Sequence, residues 1–379
     1  MYFYLIVFLT LLFQISLKGN IILVSLYGLH LDASPTFLGF IIAIGSLFPM
    51  LLASYAGRLS DRININYLLS IGMLGTALSL FMLYFIQNNL YILLVVQLIF
   101  GLFQIVTVVS SQNLIGAIST PDTRTKNFGT YTLGVSIANL IGPLIVGGAI
   151  DYFTYSTAYM ILGIFAIIPG LFFLFIPIKK KEKEKIEEVE DSSFLQLLFD
   201  PQLRKVFITS GVILTGVGLF EFYFPIYTDS IGLSASVIGL LVSINALAFI
   251  LSRLFMQTLQ SKFSPAQIIG GCLLIAATAF FLIPFMKTVP LLLIISFIMG
   301  LGLGCCQPLS IVMAYDSSPT GHTGEVLGIR LTVNKAVQFS VPIIFGSLSF
   351  LGFFSIFWFN TILLLLSGCF LLNLFSKNK

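Results

Sequence analysis

Residues 27–39 read YGLHLDASPTFLG, and residues 227–239 read YTDSIGLSASVIG. Tyr27 is matched by Tyr227, Ser34 by Ser234 and Gly39 by Gly239, all at an offset of 200. The register extends outward, with Leu59 paired to Leu259 and Arg62 answered by Lys262. Further along the offset is 199: Gly101 pairs with Gly300, Gly129 with Gly328, Pro143 with Pro342 and Gly147 with Gly346. A one-residue drift over such a distance is what a small loop deletion leaves. Two tandem halves of apolar sequence predict a two-lobed helical bundle with a pseudo-two-fold axis along the membrane normal. In that plan a solute site lies between the halves, near the bilayer midplane.

The 379 residues are 58% hydrophobic and 9% charged, which excludes the soluble globular classes. About 20 apolar residues in helix cross the hydrocarbon core. By that measure twelve spans are expected, roughly at 3–28, 36–56, 66–86, 91–114, 127–149, 157–177, 205–227, 237–259, 266–286, 290–313, 325–349 and 353–374. The apolar runs are too long, and apolar on too many sides, for the ten-residue alternation of barrel strands. The expected class is therefore an all-α membrane protein with twelve transmembrane helices in two pseudo-symmetric six-helix bundles. Residues 1–177 make the first bundle, 178–204 a charged cytoplasmic linker and 205–379 the second bundle.

Basic residues set the orientation. With a cytoplasmic N-terminus, the inside loops and tail hold Arg58, Arg62, Arg124, Lys126, the cluster Lys179 to Lys185, Arg204, Lys205, Lys262, Lys377 and Lys379. The outside loops hold only Lys287, while Lys18, Arg253, Arg330 and Lys335 fall within spans. Both termini are expected in the cytoplasm, and the net charge of +4 reflects topology and not a nucleic-acid partner. The first apolar run has no basic leader and no small-residue cleavage site, so it reads as a retained span. Cys272, Cys305, Cys306 and Cys369 all lie in spans without metal-type spacing, and no disulfide is expected. The segment KKKEKEKIEEVEDSS reads as a solvated linker. After it, Phe194, Leu195, Leu197, Leu198 and Phe199 fit a short amphipathic helix on the cytoplasmic surface.

Gly57-Arg58-Leu59-Ser60-Asp61-Arg62 follows the second span. It resembles the G-x-L-x-D-R signature of the major facilitator superfamily, between that family's second and third helices. Gly57 would let helix backbones approach closely. Asp61 would accept hydrogen bonds from a helix N-terminus or a basic side chain and latch the cytoplasmic face, with Arg124 as candidate partner. The family's further glycine and basic residues are replaced here by Ile63-Asn64-Ile65-Asn66. The fifth span carries Gly134, Ala138, Gly142, Pro143 and Gly147, a small-residue stripe for close helix packing. It looks like the superfamily's fifth-helix signature, associated with export, although Ala138 and Val146 stand where that pattern has glycine.

Polar groups inside spans are costly unless paired or facing water. Glu221 is the single acid well inside a span, at the repeat-equivalent of position 21 and so close in depth to Lys18. The resemblance places the first and seventh helices across the cavity from each other, which makes Lys18 and Glu221 candidate partners and Glu221 a candidate proton-coupling carboxylate. Alternatively, Glu221 reaches solvent at the outer mouth. Arg330, Asn334 and Gln338 form one polar stripe at four-residue spacing, with Lys335 beside it. Gln97 and Gln104 share a face of the fourth span, Gln97 standing where many proton-coupled exporters of the family carry an arginine. Arg253, Asn20, Asn245, Gln307, Tyr223 and Tyr227 complete the candidates, the tyrosines more naturally packing or interface-belt residues.

No nucleotide-binding loop, H-E-x-x-H or nucleophile–base set is present, so an enzyme is not expected, nor a cofactor or metal. The resemblance implies a monomeric secondary transporter in a bacterial-type inner membrane, exporting a small organic molecule by alternating access with protons as coupling ion. The alternatives are proton-coupled uptake and a non-transporting sensor on the same fold.

Overall fold

The computed structural model describes residues 2–87, 89–175, 194–319 and 323–376. The described residues are helical apart from turns, without a strand. The helices are α1 (Tyr2–His30), α2 (Pro35–Arg62), α3 (Ile65–Phe85), α4 (Leu90–Ala117), α5 (Pro121–Tyr152), α6 (Tyr155–Phe175), α7 (Phe194–Phe199), α8 (Pro201–Ser230), α9 (Ala235–Gln260), α10 (Pro265–Leu282), α11 (Val289–Gly304), α12 (Cys306–Asp316), α13 (Thr323–Ser347) and α14 (Gly352–Ser376). Among them eleven candidate membrane spans are long and apolar enough to cross a bilayer. The last runs 48 residues, Val326–Asn373. At about 1.5 Å per residue that is twice what one crossing needs, and a 3-10 turn at Leu348–Leu351 divides it into α13 and α14. The twelve expected crossings are thus accounted for, with α11 and α12 forming one span interrupted at Cys305.

The tandem repeat is written into the helix ends. Asp32 (φ 57°) and Gly232 (φ 83°), 200 residues apart, both adopt the left-handed conformation just after α1 and α8. The same bonds close each helix: Asp32 N–H to Leu29 O (2.9 Å) and Ala33 N–H to Gly28 O (3.0 Å), against Gly232 N–H to Asp229 O (2.8 Å) and Leu233 N–H to Thr228 O (3.2 Å). Orphan carbonyls at a helix end are commonly met this way. Starts repeat as well, since Asn64 and Ser264 each cap the next helix with a side-chain oxygen.

Two compact units emerge: Met1–Lys185 with Pro225–Ser243, and Ile186–Phe224 with Ile244–Lys379. The first therefore includes the end of α8 and the start of α9. In the first unit α1 packs on α5 and α6, α2 on α4, and α3 on α4 and α6, around a core including Phe13, Leu23, Leu69, Met73, Leu93 and Leu162. In the second, α10 packs on α11 and α14, and α12 on α13. The linker residues 178–193 lie outside the described residues. Helix α8 begins at Pro201, a few residues ahead of the seventh expected span, and the short helix expected after the linker forms as α7. Its Leu197 is buried with Leu203, Val206, Phe207, Ala314, Val326 and Ile329 of α8, α12 and α13, while Phe199 is exposed.

Glycine brings helices together where lipid offers no hydrophobic drive between them. A Cβ at Gly101 would strike the carbonyl of Gly45, so α2 and α4 cross backbone to backbone. At the repeat-equivalent place a Cβ at Gly300 would strike the carbonyl of Asn245, joining α9 and α11.

Candidate functional site

In the first unit α1 carries the polar groups. The side chains of Asn20 and Gln97 exchange two amide hydrogen bonds, 3.3 and 3.4 Å, tying α1 to α4. Gln97 fits because Gly45 has no side chain: a Cβ there would lie 3.1 Å from Gln97 Oε1. Six residues before Asn20, Gln14 Nε2 donates to the Tyr131 hydroxyl (3.4 Å), tying α1 to α5. Lys18 is half-buried between these two ties, and Gln104 is half-buried two turns beyond Gln97.

The small-residue stripe of α5 serves two partners. Gly134 lies over Val7 and Leu11 at ordinary distances, Ala138 is buried, and a Cβ at Gly142 would come within 2.9 Å of Gly19 N and 3.1 Å of Ile15 O. Its tight contact with α1 is therefore at Gly142. The other face meets the start of α9. A Cβ at Gly147 would strike Ala235 O, one at Gly239 would strike Pro143 O, and Ser243 Oγ donates to Leu140 O at 2.7 Å. At the end of this face the Asp151 carboxylate accepts the backbone N–H groups of Ala235 (3.1 Å) and Ser236 (2.9 Å). The hydroxyls of Ser234 and Ser236 also bond to it. A carboxylate at the first turn of α9 meets both its orphan donors and its dipole. Nothing in the sequence reading singled out Asp151, because its partners lie 84 and 85 positions away.

Gly57 to Arg62 form the last turn of α2, closed by Ile63 N–H to Leu59 O. Gly57 does not make the close helix approach expected of it: among the described residues a Cβ there would meet only Val109, at 3.9 Å, an ordinary contact, and the close approach of α2 is at Gly45. Among the described side chains of the motif, Ser60 ties two helices. Ser60 Oγ donates to Gly57 O (2.8 Å) and accepts from Asn113 Nδ2 of α4 (2.7 Å). The side chains of Arg58, Asp61, Arg62 and Arg124 lie outside the described ones.

In the second unit the stripe on α13 faces protein. Arg330, 4% exposed, donates from Nη2 to Ser310 Oγ (2.6 Å) and, more weakly, to Gln307 O (3.4 Å), both on α12. Asn334 accepts from Ser210 Oγ of α8 (2.7 Å). Lys335 Nζ donates to Gln338 Oε1 (2.9 Å). Asn245 Nδ2 donates to Ser296 O (3.0 Å), tying α9 to α11. Tyr223 packs edge-on against Phe353 and Phe357, with centroids at 5.6 and 6.3 Å. Tyr227, which belongs to the first unit, is also buried. Glu221 and Arg253 are half-buried on α8 and α9. Lys18 belongs to the first unit and Glu221 to the second. The four cysteines are free. Among the described residues, no cluster of three or more His, Cys, Asp or Glu side chains is arranged to hold a metal ion.

Repeated helical units, crossings built on glycine and polar ties buried in apolar helices define a two-repeat membrane helix bundle. The Major Facilitator Superfamily model matches residues 6–339 and 206–379, and the chain belongs to that family. It is a multi-pass transporter and not an enzyme. Over 321 residues it is 26% identical to the quinolone resistance protein NorA of Staphylococcus aureus, covering 82% of this chain and 80% of that protein. Over 349 residues it is 24% identical to the multidrug resistance protein MdtG of Klebsiella pneumoniae, covering 88% and 81%. Among solved structures it resembles a bacterial homologue of the human lysosomal transporter Spinster in an inward-facing, unoccupied conformation. That match has a TM-score of 0.78 at 13% identity, covering 98% of this chain and 95% of that one. It also resembles the peptide transporter POT in complex with sulfate, with a TM-score of 0.79 at 14% identity, covering 99% and 94%. Likeness at such identity establishes the fold.

Proposed function

We propose that this chain exports a small organic molecule in exchange for protons, with Glu221 as the coupling carboxylate. The observation that carries the export reading is chain-long similarity to two proteins named for quinolone and multidrug resistance. The small-residue stripe of α5 is consistent with it. Coupling is assigned to Glu221 because the family's usual arginine position on the fourth helix is Gln97, and its amide is engaged with Asn20. An amide pair carries no titrating proton, so the proton must be handled elsewhere. Among the described residues, Glu221 is the one Asp or Glu within a span that is half-buried and not at the span's end. Protonation of that acid changes the charge in the second unit and biases one conformational state over another. Asp61 belongs to the same proposal as a latch of the cytoplasmic face.

Everted membrane vesicles energised with a proton gradient test both parts. The expected result is concentrative uptake of norfloxacin, as an example quinolone, into everted vesicles and none into right-side-out vesicles. Glu221→Gln should retain gradient-independent exchange while losing accumulation. Accumulation in right-side-out vesicles would reverse the direction, and full accumulation by Glu221→Gln would remove this carboxylate from coupling.

A further inference from the structure

The interrupted span of α11 and α12 brings thiols together within the second unit. Pro308 has no N–H, so the Gly304 carbonyl loses its helical donor, and the helix breaks at Cys305. The two thiols at the break turn to different neighbours. Cys305 Sγ donates to Ser252 O of α9 (3.0 Å). Cys306 Sγ donates to Gly302 O, one turn earlier (3.2 Å), and also shares a hydrogen bond with the Cys272 thiol of α10. Main chain sets this meeting. A Cβ at Gly302 would lie 2.9 Å from both Ala276 N and Cys272 O, so α10 and α11 touch backbone to backbone. Consecutive spans joined by a short turn run antiparallel, which sets Cys306, one turn after Gly302, against Cys272, one turn before Ala276. Cysteines in a disulfide have Cα atoms about 4.4–6.8 Å apart, a closeness that a glycine crossing supplies.

All three are free thiols in this structure. Cys272 is half-buried beside an open, largely apolar face of α10. Ile275, Thr278 and Leu282 are exposed on that face, and a Cβ at Gly271 would meet nothing within 4 Å among the described residues. An oxidant dissolved in the bilayer reaches Cys272 from there without entering the α10–α12 seam. We propose that Cys272 and Cys306 form a site of reversible two-electron oxidation, closing to a disulfide that fastens α12 to α10 and stiffens the break at Cys305. The oxidant is a lipid-soluble hydroperoxide. The Cys272 sulfur attacks its terminal oxygen, the O–O bond breaks, and the alcohol leaves with the thiol proton, giving a sulfenic acid. The Cys306 sulfur then displaces that hydroxyl, which departs as water with the Cys306 proton. Two thiols lose two electrons and the hydroperoxide gains them. Cys305, turned to Ser252, takes no part, and a dithiol reductant restores both thiols by exchange.

The full chain, reconstituted in phosphatidylcholine vesicles, is treated with cumene hydroperoxide, alkylated and digested. Mass spectrometry is expected to find most chains linked from Cys272 to Cys306. Hydrogen exchange across 305–316 should slow by about tenfold or more. Dithiothreitol should reverse both effects. Cys272→Ser should lose the link and the slowing, whereas Cys305→Ala and Cys369→Ala should keep them. If Cys272→Ser does not fold, Cys306→Ala and the reversal in the wild-type chain decide. Cys272 and Cys306 both still open to alkylation after the treatment would overturn the proposal. So would a link through Cys305, or Cys272 carried on to sulfinic acid with Cys306 untouched. A Cys272–Cys306 link that leaves exchange across 305–316 unchanged would overturn it as well. None of these readouts needs a solute or a proton gradient, so their failure leaves the export reading standing, and failure of export leaves the thiol pair standing.

Discussion

The Asp151 carboxylate accepts the backbone N–H of Ser236 at 2.9 Å, so a side chain at the end of α5 caps the first turn of α9. With Ala235 N–H and two serine hydroxyls on the same group, this capping accompanies the glycine crossing that draws Pro225–Ser243 into the first unit. Asp151→Ala is expected to lower stability in detergent by about 1 kcal/mol, the usual worth of a cap. Asp151→Asn should cost less, since it keeps an acceptor and loses only the charge. Denaturation midpoints of the purified variants check this, and an unchanged midpoint in Asp151→Ala would show the contact to be incidental.

Adjacent glycines on α5 should behave oppositely. A Cβ at Gly147 strikes Ala235 O, whereas one at Gly148 meets nothing within 4 Å among the described residues. Gly147→Ala should cut folded yield and transport about tenfold, in line with overpacking costs of about 1–3 kcal/mol. Gly148→Ala should stay near wild type in the same assays. Equal behaviour of the two would refute the crossing.

The amide exchange between Asn20 and Gln97 predicts a coupled pair. Single alanine substitutions should each destabilise the first unit, and the double variant should cost less than their sum. A coupling of about 0.6–1.7 kcal/mol is expected for hydrogen bonds between helices in a bilayer. Strict additivity in the double-mutant cycle would mean the amides do not meet in the folded protein.

Asp32 and Gly232 make a matched test of the left-handed caps. Gly232→Ala places a Cβ where L-residues are disfavoured and should cost about 1–2 kcal/mol. Asp32→Gly should be neutral or stabilising by a few tenths. A clear loss of stability in Asp32→Gly would show that the Asp32 side chain, not its backbone, holds that turn.

The spans were legible because bilayer thickness leaves a length signature that twelve crossings repeat, and the tandem register survived in Tyr27/Tyr227 and Ser34/Ser234. Residue pairings were not legible. Ser210 meets Asn334 across 124 positions and Asn20 meets Gln97 across 77, and such meetings depend on how helices rotate against one another, which periodicity leaves open. The α13 stripe shows the limit. Its polarity was plain, yet polarity alone does not separate a cavity wall from a seam between helices, and Arg330 and Asn334 lie in seams to α12 and α8. Gly57 drew attention through its motif, but tight packing fell to Gly45, which belongs to none of the motifs.

The crossing of α5 and α9 at Gly147 and Gly239 is made of main chain on both sides. Ser243 and Asp151 on the same face each order a side chain, whereas at these two glycines the contact itself freezes no rotamer. It also covers little apolar area, so its strength should vary little with temperature, unlike a seam of leucines whose grip follows the heat capacity of hydration. The register of the two helices at this place is set by the shape of the main chain, more like a keyed joint than a glue line.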